Sequence, residues 1–223
     1  MAKTLNVIEQ FKSLQGEGVH SGFPTFFIRL AGCNLRCSYC DTKYAYGAGV
    51  KVDIRTIVKN AQAQGINLIC LTGGEPLNQK ECGTLVKELL RARFYIDIET
   101  NGSKSLAKFP NSSKILYSLD IKCPSSLMDK KMDFNNLRRM KKKDQVKFIM
   151  KNRKDYNFSK NIVNKYNLLK RTNVIFTPIG GVKADKLAAW VLRDNLPVRI
   201  GLQIHKIIWR SEKKMIVSQN IIR

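Results

Sequence analysis

Three cysteines on one short loop constrain this chain more than any other feature. Cys33, Cys37 and Cys40 are separated by three residues and then by two, and Tyr39 precedes the last of them. Three thiolates with this spacing can hold three corners of a cubic iron–sulfur cluster and leave the fourth iron open. An open iron can bind a substrate or a cofactor, so the loop predicts a reactive metal centre.

Zinc is the alternative metal for this loop. A structural zinc site takes four ligands, usually as two pairs of Cys or His. A fourth ligand would have to come from His20, Cys70, Cys82, Cys123 or His205. None of these forms a second close pair. A loop without metal fits less well, because three unliganded core cysteines would share it with Asn34, Arg36 and Asp41.

Length and composition indicate one globular domain over residues 1–223. Hydrophobic residues make up 43% of the chain and aromatic residues 9%, which suits a buried core and not a disordered chain. No apolar run approaches the ~20 residues that a membrane span needs. Residues 1–10 lack the apolar core of a secretory signal. We therefore expect a cytoplasmic protein without membrane association, in which the cysteines stay reduced.

The net charge of +23 is concentrated in the second half of the chain. Residues 111–223 hold 26 Lys and Arg against 8 Asp and Glu, whereas residues 1–110 hold 14 against 9. This asymmetry permits nucleic-acid binding, but the basic run 138–143 has no interleaved aromatic residues for stacking on bases. A solvated lysine-rich face explains the charge as well. We do not expect direct nucleic-acid binding, and an anionic small substrate would also be attracted.

The hydrophobic pattern predicts strands separated by helices. Alternating or continuous apolar runs mark strands at 7–14, 26–30, 68–71, 95–100, 115–122, 146–150, 174–178 and 200–205, and helical spacing marks 54–65, 85–89 and 182–194. Such alternation implies parallel pairing, with functional residues at the carboxyl ends of the strands. We expect an α/β fold, a partial open parallel barrel of about six strands with few helices. The segments 125–143 and 152–172 are predicted to be polar covering loops or irregular helices.

Several polar motifs follow the predicted strands. They are Leu14-Gln15-Gly16-Glu17-Gly18, Phe27-Ile28-Arg29-Leu30, Cys40-Asp41-Thr42, Gly73-Gly74-Glu75-Pro76, Glu99-Thr100-Asn101-Gly102 and Gln203-Ile204-His205-Lys206. The cysteine loop resembles that of the radical S-adenosylmethionine (SAM) enzymes. The combination of motifs is similar to the 7-carboxy-7-deazaguanine synthase family within that superfamily, over roughly residues 5–209.

The resemblance implies a reduced radical SAM barrel and a particular activity. Members of the family rearrange 6-carboxy-5,6,7,8-tetrahydropterin to 7-carboxy-7-deazaguanine, with ring contraction and loss of ammonia, in the biosynthesis of queuosine and related 7-deazapurines. The reaction requires a [4Fe-4S] cluster, SAM and Mg²⁺. The resemblance further implies an external electron donor such as flavodoxin or ferredoxin, and a homodimer.

The resemblance also implies roles for individual positions. Cys33, Cys37 and Cys40 would hold the cluster. SAM would contact Tyr39, Cys40, Asp41, Gly74, Glu75, Gly102, Ser118, Lys122, Thr177 and Pro178. The pterin would contact Leu14, Gln15, Gly16, Glu17 and Thr100, and Arg29 would pair with its carboxylate. Thr42 would offer its hydroxyl to Mg²⁺, a hard cation that takes oxygen ligands. Gln15, Glu17, Arg29 and Thr42 would form the catalytic set.

Some alternatives stay open from the sequence. His205 either touches the substrate or is a satisfied core residue on a mostly apolar strand. A different radical SAM enzyme, such as a glycyl-radical activase, would keep the cysteine loop and Gly-Gly-Glu-Pro. It would not need Gln15, Glu17, Arg29 and Thr100 together. A zinc-stabilised nucleic-acid-binding module would account for the charge and for three cysteines.

Overall fold

One open sheet organises the computed structural model, which describes residues 2–179 and 183–209. Its strands are β1 (Thr4–Leu14), β2 (Pro24–Leu30), β3 (Val50–Asp53), β4 (Leu68–Gly73), β5 (Tyr95–Thr100), β6 (Ile115–Lys122), β7 (Gln145–Met150), β8 (Asn173–Pro178) and β9 (Arg199–Ile200). The helices are α1 (Ile54–Gln62), α2 (Cys82–Arg91), α3 (Arg153–Lys165), α4 (Ala184–Arg193) and α5 (Ile204–Ile208). Short 3₁₀ helices cover Lys43–Tyr46, Pro76–Asn78, Leu106–Lys108, Pro124–Ser126, Asp129–Lys131, Phe134–Arg139 and Leu168–Lys170.

The strand order is β3-β1-β2-β4-β5-β6-β7-β8-β9, so the described sheet has two open edges. From β2 through β4 to β9 every neighbouring pair is parallel. The parallel part of the sheet includes six strands of six or more residues, which confirms the expected partial parallel barrel. β1 extends the sheet on the other side, antiparallel to both β2 and β3. A loop of nine residues joins β1 to β2, too short for the crossover that a parallel pair requires.

The two faces of the parallel strands differ sharply. On the outer face, apolar residues such as Ile28, Leu71, Leu119 and Phe148 are fully buried in one hydrophobic core. This core lies under the amphipathic helices α1 to α4, where α3 packs on β7 and α4 on β8. The alternate residues point into the concave face and are largely polar, because successive side chains of a strand face opposite sides. The residues that form the core and the polar residues of the concave side therefore lie on opposite faces of the same strands.

The covering segments contain more regular structure than their polarity suggests. The segment 152–172 holds the thirteen-residue helix α3, whose N-cap Asn152 accepts from the backbone N–H of Asp155. Tyr156 and Val163 bury one side of this helix against the sheet. Three short 3₁₀ helices fill the region 124–139. No helix in the described ranges is long and apolar enough to cross a membrane.

The predicted final strand over 200–205 is wrong beyond Ile200. β9 pairs with β8 only at Arg199 and Ile200, and the chain then turns into helix α5. The backbone N–H of Ile204 donates to the carbonyl of Gly16, which draws this segment across the mouth of the barrel. Residues 182 and 210–223, which include the start of a predicted helix and the basic tail, lie outside the described residues.

Candidate active site

A cavity of about 560 Å³ opens on the concave face, toward the carboxyl ends of the parallel strands. We call it the central cavity. Its wall combines inward-facing residues of β1, β2, β4, β5, β6 and β7 with the cysteine loop 33–46 and helix α5. Predicted site residues in the wall are Leu14, Gln15, Gly16, Glu17, Arg29, Cys33, Cys37, Cys40, Asp41, Thr42, Gly74, Thr100, Lys122 and His205. The fold thus brings most of the predicted residues together.

The three loop cysteines face the central cavity as free thiols. In residues 2–179 and 183–209, no three His, Cys, Asp or Glu side chains converge as ligands of one ion. A zinc site needs four converging ligands, whereas a cubane places each thiolate on a different iron. The free thiols on one loop facing the cavity fit a cluster held by three thiolates.

Hydrogen-bond donors surround the first cysteine. The backbone N–H of Leu35 donates to the Cys33 sulfur at 3.4 Å, and the Asn101 amide donates to it at 3.7 Å. Donors to ligating sulfurs tune a cluster and stabilise its thiolates. Burial raises the pKa of Cys37, while the nearby Lys122 ammonium opposes that shift. The donors at Cys33 would stabilise a ligating thiolate, whereas burial at Cys37 favours the thiol until a metal is bound.

Glycines allow the cysteine loop to approach the end of β4. A Cβ on Gly73 would meet the Leu30 carbonyl oxygen at 2.1 Å, and the φ of Gly73 is +150°. A Cβ on Gly74 would meet the Gly32 carbonyl oxygen at 2.2 Å and the Cys33 Cβ at 2.8 Å. Only glycine fits such close backbone approach. The Gly73-Gly74 pair is thus the reason that the cysteines lie against the carboxyl end of β4.

Gln15 and Glu17 lie on the loop between β1 and β2. Gln15 is 5% exposed, and its amide nitrogen lies near the Cys70 thiol without another hydrogen-bond partner among the described residues. A buried, unpaired amide costs free energy unless a ligand satisfies it. The Glu17 carboxylate accepts from Lys147 at 3.1 Å and from Gln203 at 2.5 Å. The loop therefore offers the central cavity one unsatisfied donor and one oriented carboxylate.

Arg29 projects from β2 into the same wall. Its Nε donates to Glu9 at 2.6 Å, and the rings of Phe11 and Tyr44 each lie 5.8 Å from the guanidinium carbon. The side chain is 16% exposed. Burial raises the pKa of Tyr44 to about 12, so its hydroxyl stays protonated and donates to Glu9. Held through Nε, the guanidinium keeps its terminal fork for a carboxylate.

His205 lies on helix α5 and not on a strand, and this helix lies beside the β1–β2 loop. A Cβ on Gly16 would meet the His205 ring at 1.8 Å, so ring and backbone are in direct contact. Burial lowers the pKa of His205, which favours the neutral imidazole. The residue lines the central cavity and is not part of the apolar core.

Several residues predicted for SAM lie behind the cavity wall. Glu75 is fully buried and accepts from the backbone N–H groups of Leu77 and Asn101 and from the Thr100 hydroxyl. Ser118 is buried against the amide of Gln145. The others outside the described cavity wall are Tyr39, Gly102, Thr177 and Pro178. In this structure the Glu75 carboxylate holds the turn that contains Thr100 and Asn101 through hydrogen bonds.

Sequence analysis assigned no site role to many residues of the wall, and four of these adjoin residues that it did predict. Thr72 stands beside Arg29 in the β2–β4 register, and Gln203 reaches Glu17 from the turn before α5. Asn101 contacts Cys33, and Lys147 lies among three carboxylates. The alternation of Val146, Phe148 and Met150 already assigned one face of β7 to the core. The same alternation places Lys147 on the opposite face, so this signal was present in the sequence.

Comparisons with known proteins agree with this geometry. Residues 27–174 match the family model described as the radical SAM superfamily. A 7-carboxy-7-deazaguanine synthase from Methanospirillum hungatei is 39% identical over 205 residues, which cover 92% of this chain and 85% of that protein. One from Clostridium acetobutylicum is 39% identical over 215 residues, covering 93% and 97% of the two chains.

Two solved structures share the fold. QueE from Escherichia coli superposes with a TM-score of 0.67 at 19% identity and covers 90% of this chain and 94% of its own. Streptococcus suis SuiB, solved with S-adenosylmethionine, gives a TM-score of 0.50 at 12% identity and covers 76% of this chain and 44% of its own. At these identities the likeness concerns architecture.

Proposed function

This chain belongs to the 7-carboxy-7-deazaguanine synthase family of radical SAM enzymes, and we infer from that premise that it converts 6-carboxy-5,6,7,8-tetrahydropterin to 7-carboxy-7-deazaguanine. The product is the deazaguanine precursor in queuosine biosynthesis. One observation supports this above the others: three free thiols and the residues proposed for the pterin share the wall of one cavity. A different radical SAM enzyme or a zinc-stabilised module does not account for that combination.

The cysteine loop is the proposed cofactor side of the central cavity. Cys33, Cys37 and Cys40 would hold a [4Fe-4S] cluster, and the backbone at Gly74 lies within contact of that loop. When bound, the cluster and SAM supply the carbon radical with which the reaction starts. The Lys122 ammonium lies 3.2 Å from Asp120 on the same side. We assign Lys122 and Asp41 to the polar groups of SAM. The other residues assigned to SAM do not line the described cavity and would support its binding indirectly. They are Tyr39, Glu75, Gly102, Ser118, Thr177 and Pro178.

The opposite part of the wall is the proposed pterin side. Arg29 would pair with the substrate carboxylate through its terminal fork, because its Nε is already engaged by Glu9. The unpaired amide of Gln15 and the carboxylate of Glu17 would hydrogen-bond the pterin ring, together with the backbone at Leu14 and Gly16. The Thr100 hydroxyl is bonded to Glu75, so Thr100 would act mainly by shaping the wall.

Thr42 is the proposed protein ligand of Mg²⁺. Its hydroxyl donates to Asp41 at 2.9 Å, so the oxygen can still act as a ligand, and Thr42 lines the central cavity. Mg²⁺ usually retains several waters and takes few protein oxygens beside those of the substrate. This coordination fits a wall in which no three His, Cys, Asp or Glu side chains of the described residues are placed to ligate one metal ion.

Three further proposals concern partners and location. An acidic electron donor such as flavodoxin or ferredoxin would approach the exposed Arg36 and Lys43 beside the cysteine loop. A homodimer follows from the family resemblance and is tested by sedimentation of the reconstituted protein. The cytoplasm is the proposed location, since the six cysteines are free thiols.

Anaerobic reconstitution tests the proposed function directly. We expect brown protein with four irons per chain and conversion of the pterin to a deazaguanine, seen by mass spectrometry only with SAM and reductant. Cys37→Ala should abolish conversion because the cluster loses a ligand. Cys82→Ala is the matched control, since Cys82 is fully buried in α2 outside the central cavity. Deazaguanine formation by Cys37→Ala at the wild-type rate would contradict the proposal.

A further inference from the structure

Lys147 has no role in the activity as described so far, yet it is the most enclosed charged group of the central cavity. Its side chain is 5% exposed and projects from the middle of β7. The ammonium lies 2.8 Å from Glu99, 3.1 Å from Glu17 and 3.3 Å from Asp120. A buried ammonium persists only where opposite charges offset its loss of hydration. Three carboxylates from three different elements provide that offset here.

The contacts of Lys147 join the two sides of the cavity. Glu17 belongs to the β1–β2 loop on the pterin side, and Asp120 pairs with Lys122 on the cofactor side. Glu99 lies between them on β5. Resting on the function proposed above, we propose that Lys147 is a positioning residue for substrate recognition. Its ammonium fixes Glu17 and Glu99 toward the pterin ring and couples them through Asp120 to the cofactor side.

The carboxylates themselves explain why a cation is needed. Without Lys147, Glu17, Glu99 and Asp120 would repel one another across a partly dehydrated wall. Even with the ammonium in place, burial raises the pKa of Glu99 to about 7, and Lys147 opposes that rise. Removing the cation would leave protons on carboxylates that should accept hydrogen bonds from the ring N–H groups. It would also release Glu17 from one of its two anchors.

Other charged groups near the three carboxylates also affect their electrostatic environment. Lys122 contacts Asp120, and the ring of His205 lies on the side of Glu17 with Lys206 beyond it. Asp97 is occupied by His20 at 2.9 Å. Of these groups, only Lys122 forms an ion pair with one of the three carboxylates. It cannot replace Lys147, because it reaches only Asp120 among them.

The test measures binding as well as turnover in the reconstituted holoenzyme. The probe is 6-carboxypterin, an oxidised and fluorescent analogue of the substrate, titrated anaerobically at pH 6.5 to 9. We expect Lys147→Met to weaken its affinity by about tenfold or more at pH 7. The ratio to wild type should shrink as pH rises and the carboxylates ionise. SAM affinity should change by less than about threefold, and Lys147→Arg, which keeps the charge, should recover most of the pterin affinity.

A double-mutant cycle separates positioning from loss of structure. Because Lys147 acts through its carboxylates, its replacement should cost much less in a Glu17→Gln background than in wild type. Lys160→Met is the control for loss of an ion pair away from the site, since Lys160 on helix α3 contacts Asp194 at 2.8 Å and neither residue lines the central cavity. If Lys147→Met does not fold, Lys147→Gln provides the same pH series with an amide that still donates to a carboxylate.

The outcomes distinguish this inference from the proposed function. Wild-type holoenzyme that neither binds 6-carboxypterin nor forms product would refute the proposed function. Wild-type activity combined with unchanged, pH-independent affinity in Lys147→Met would overturn the inference alone. A loss of affinity that is equal at every pH and additive with Glu17→Gln would also overturn it, because that pattern is a structural effect.

Discussion

Gly74 shows how a single residue decides whether the cysteine loop can form. The nearest atoms to a Cβ at this position are the Gly32 carbonyl oxygen and the Cys33 Cβ. Both belong to the loop that holds the first cysteine, and neither is the end of a flexible side chain. The position is therefore closed to every residue other than glycine, whatever its contact with SAM.

We predict that Gly74→Ala impairs cluster assembly. The added methyl must displace the backbone at Gly32 and Cys33, at a cost of about 1–3 kcal/mol that falls on the cysteine loop. Iron content after anaerobic reconstitution should drop well below that of wild type. Gly83→Ala is the control, since its methyl would meet only the Phe109 ring at 4.0 Å. Full iron loading of Gly74→Ala would show that the loop can yield without losing the cluster.

The sequence identified residue types better than residue orientations. Cys33 was predicted from the spacing of the three thiols, whereas the roles of Gln15 and Arg29 were predicted from the family resemblance. Glu75 was expected at the cofactor, but its carboxylate accepts from Leu77 in its own turn and from Thr100 and Asn101 at the end of β5. Those donors are remote in sequence or belong to the backbone. Local pattern contains no information about such partners.

Among the elements, the β1–β2 loop is anchored to several distant parts of the fold. His20 contacts Asp97 on β5 at 2.9 Å, and the backbone N–H of Val19 donates to Gln145 on β7. Glu17 is held by Lys147, and Gly16 by the backbone N–H of Ile204 on α5. The proposed pterin residues therefore lie on a loop whose position depends on three other elements.

The His20–Asp97 contact predicts a pH-dependent stability of this loop. Asp97 raises the pKa of His20, so the contact stabilises the fold fully below about pH 6.5 and less as pH rises through the higher folded pKa. The His20 side chain is 36% exposed, which limits the effect to about 1 kcal/mol or less. In urea unfolding, the stability difference between wild type and His20→Gln should be largest near pH 5.5 and small at pH 8.5.

His205 provides an internal comparison with the opposite sign. Burial lowers its pKa, so its neutral form supports the fold at high pH and this support is lost as pH falls below about 6.5. The difference between wild type and His205→Gln should therefore change in favour of the variant on acidification. Parallel pH profiles for the two variants would argue against specific contacts of these imidazoles.

The elements that sequence analysis misassigned all depend on long-range contacts. Ile200, Leu202 and Ile204 alternate as in a strand, but the Gly16 carbonyl captures the backbone of Ile204 and α5 forms instead. The segment 152–172 is polar in part because the buried face of α3 itself holds polar residues, with Asp155 and Ser159 beside Tyr156 and Val163. Strands with continuous apolar runs, such as Leu68–Gly73, were correctly predicted since burial on both sides leaves one interpretation.

On the scale of the whole molecule, the cysteine loop lies apart from the hydrophobic core. The large buried side chains lie between the sheet and helices α1 to α4. The cysteine loop contributes only Leu35 and Ala45 as buried apolar residues, and its one helix is the short 3₁₀ turn Lys43–Tyr46. The order of the parallel strands could be expected from the sequence, whereas the antiparallel β1 and β3 could not, because strand pairing is not encoded locally.

This separation predicts a local response to loss of the cluster. After chelation under anaerobic conditions, far-UV circular dichroism should stay close to that of the holoenzyme. Limited trypsin digestion should then cut first at Arg36 or Lys43, which are exposed, because regions with few buried contacts open most readily. The holoenzyme should resist cleavage at both sites. Global unfolding on chelation would show instead that the cluster is part of the fold's stability.

The opposite character of the two sheet faces has a consequence for how this enzyme can change. Along β6, Leu119 and Ile121 belong to the core, whereas Asp120 and Lys122 border the central cavity. Substitutions at the odd-numbered positions of this strand change the hydrophobic core and would cause misfolding. Substitutions at the even-numbered positions change the cavity wall and could alter the reaction while the fold is retained. Laboratory evolution that randomises only inward-facing positions of β4 to β7 would therefore sample new substrates with few losses to aggregation.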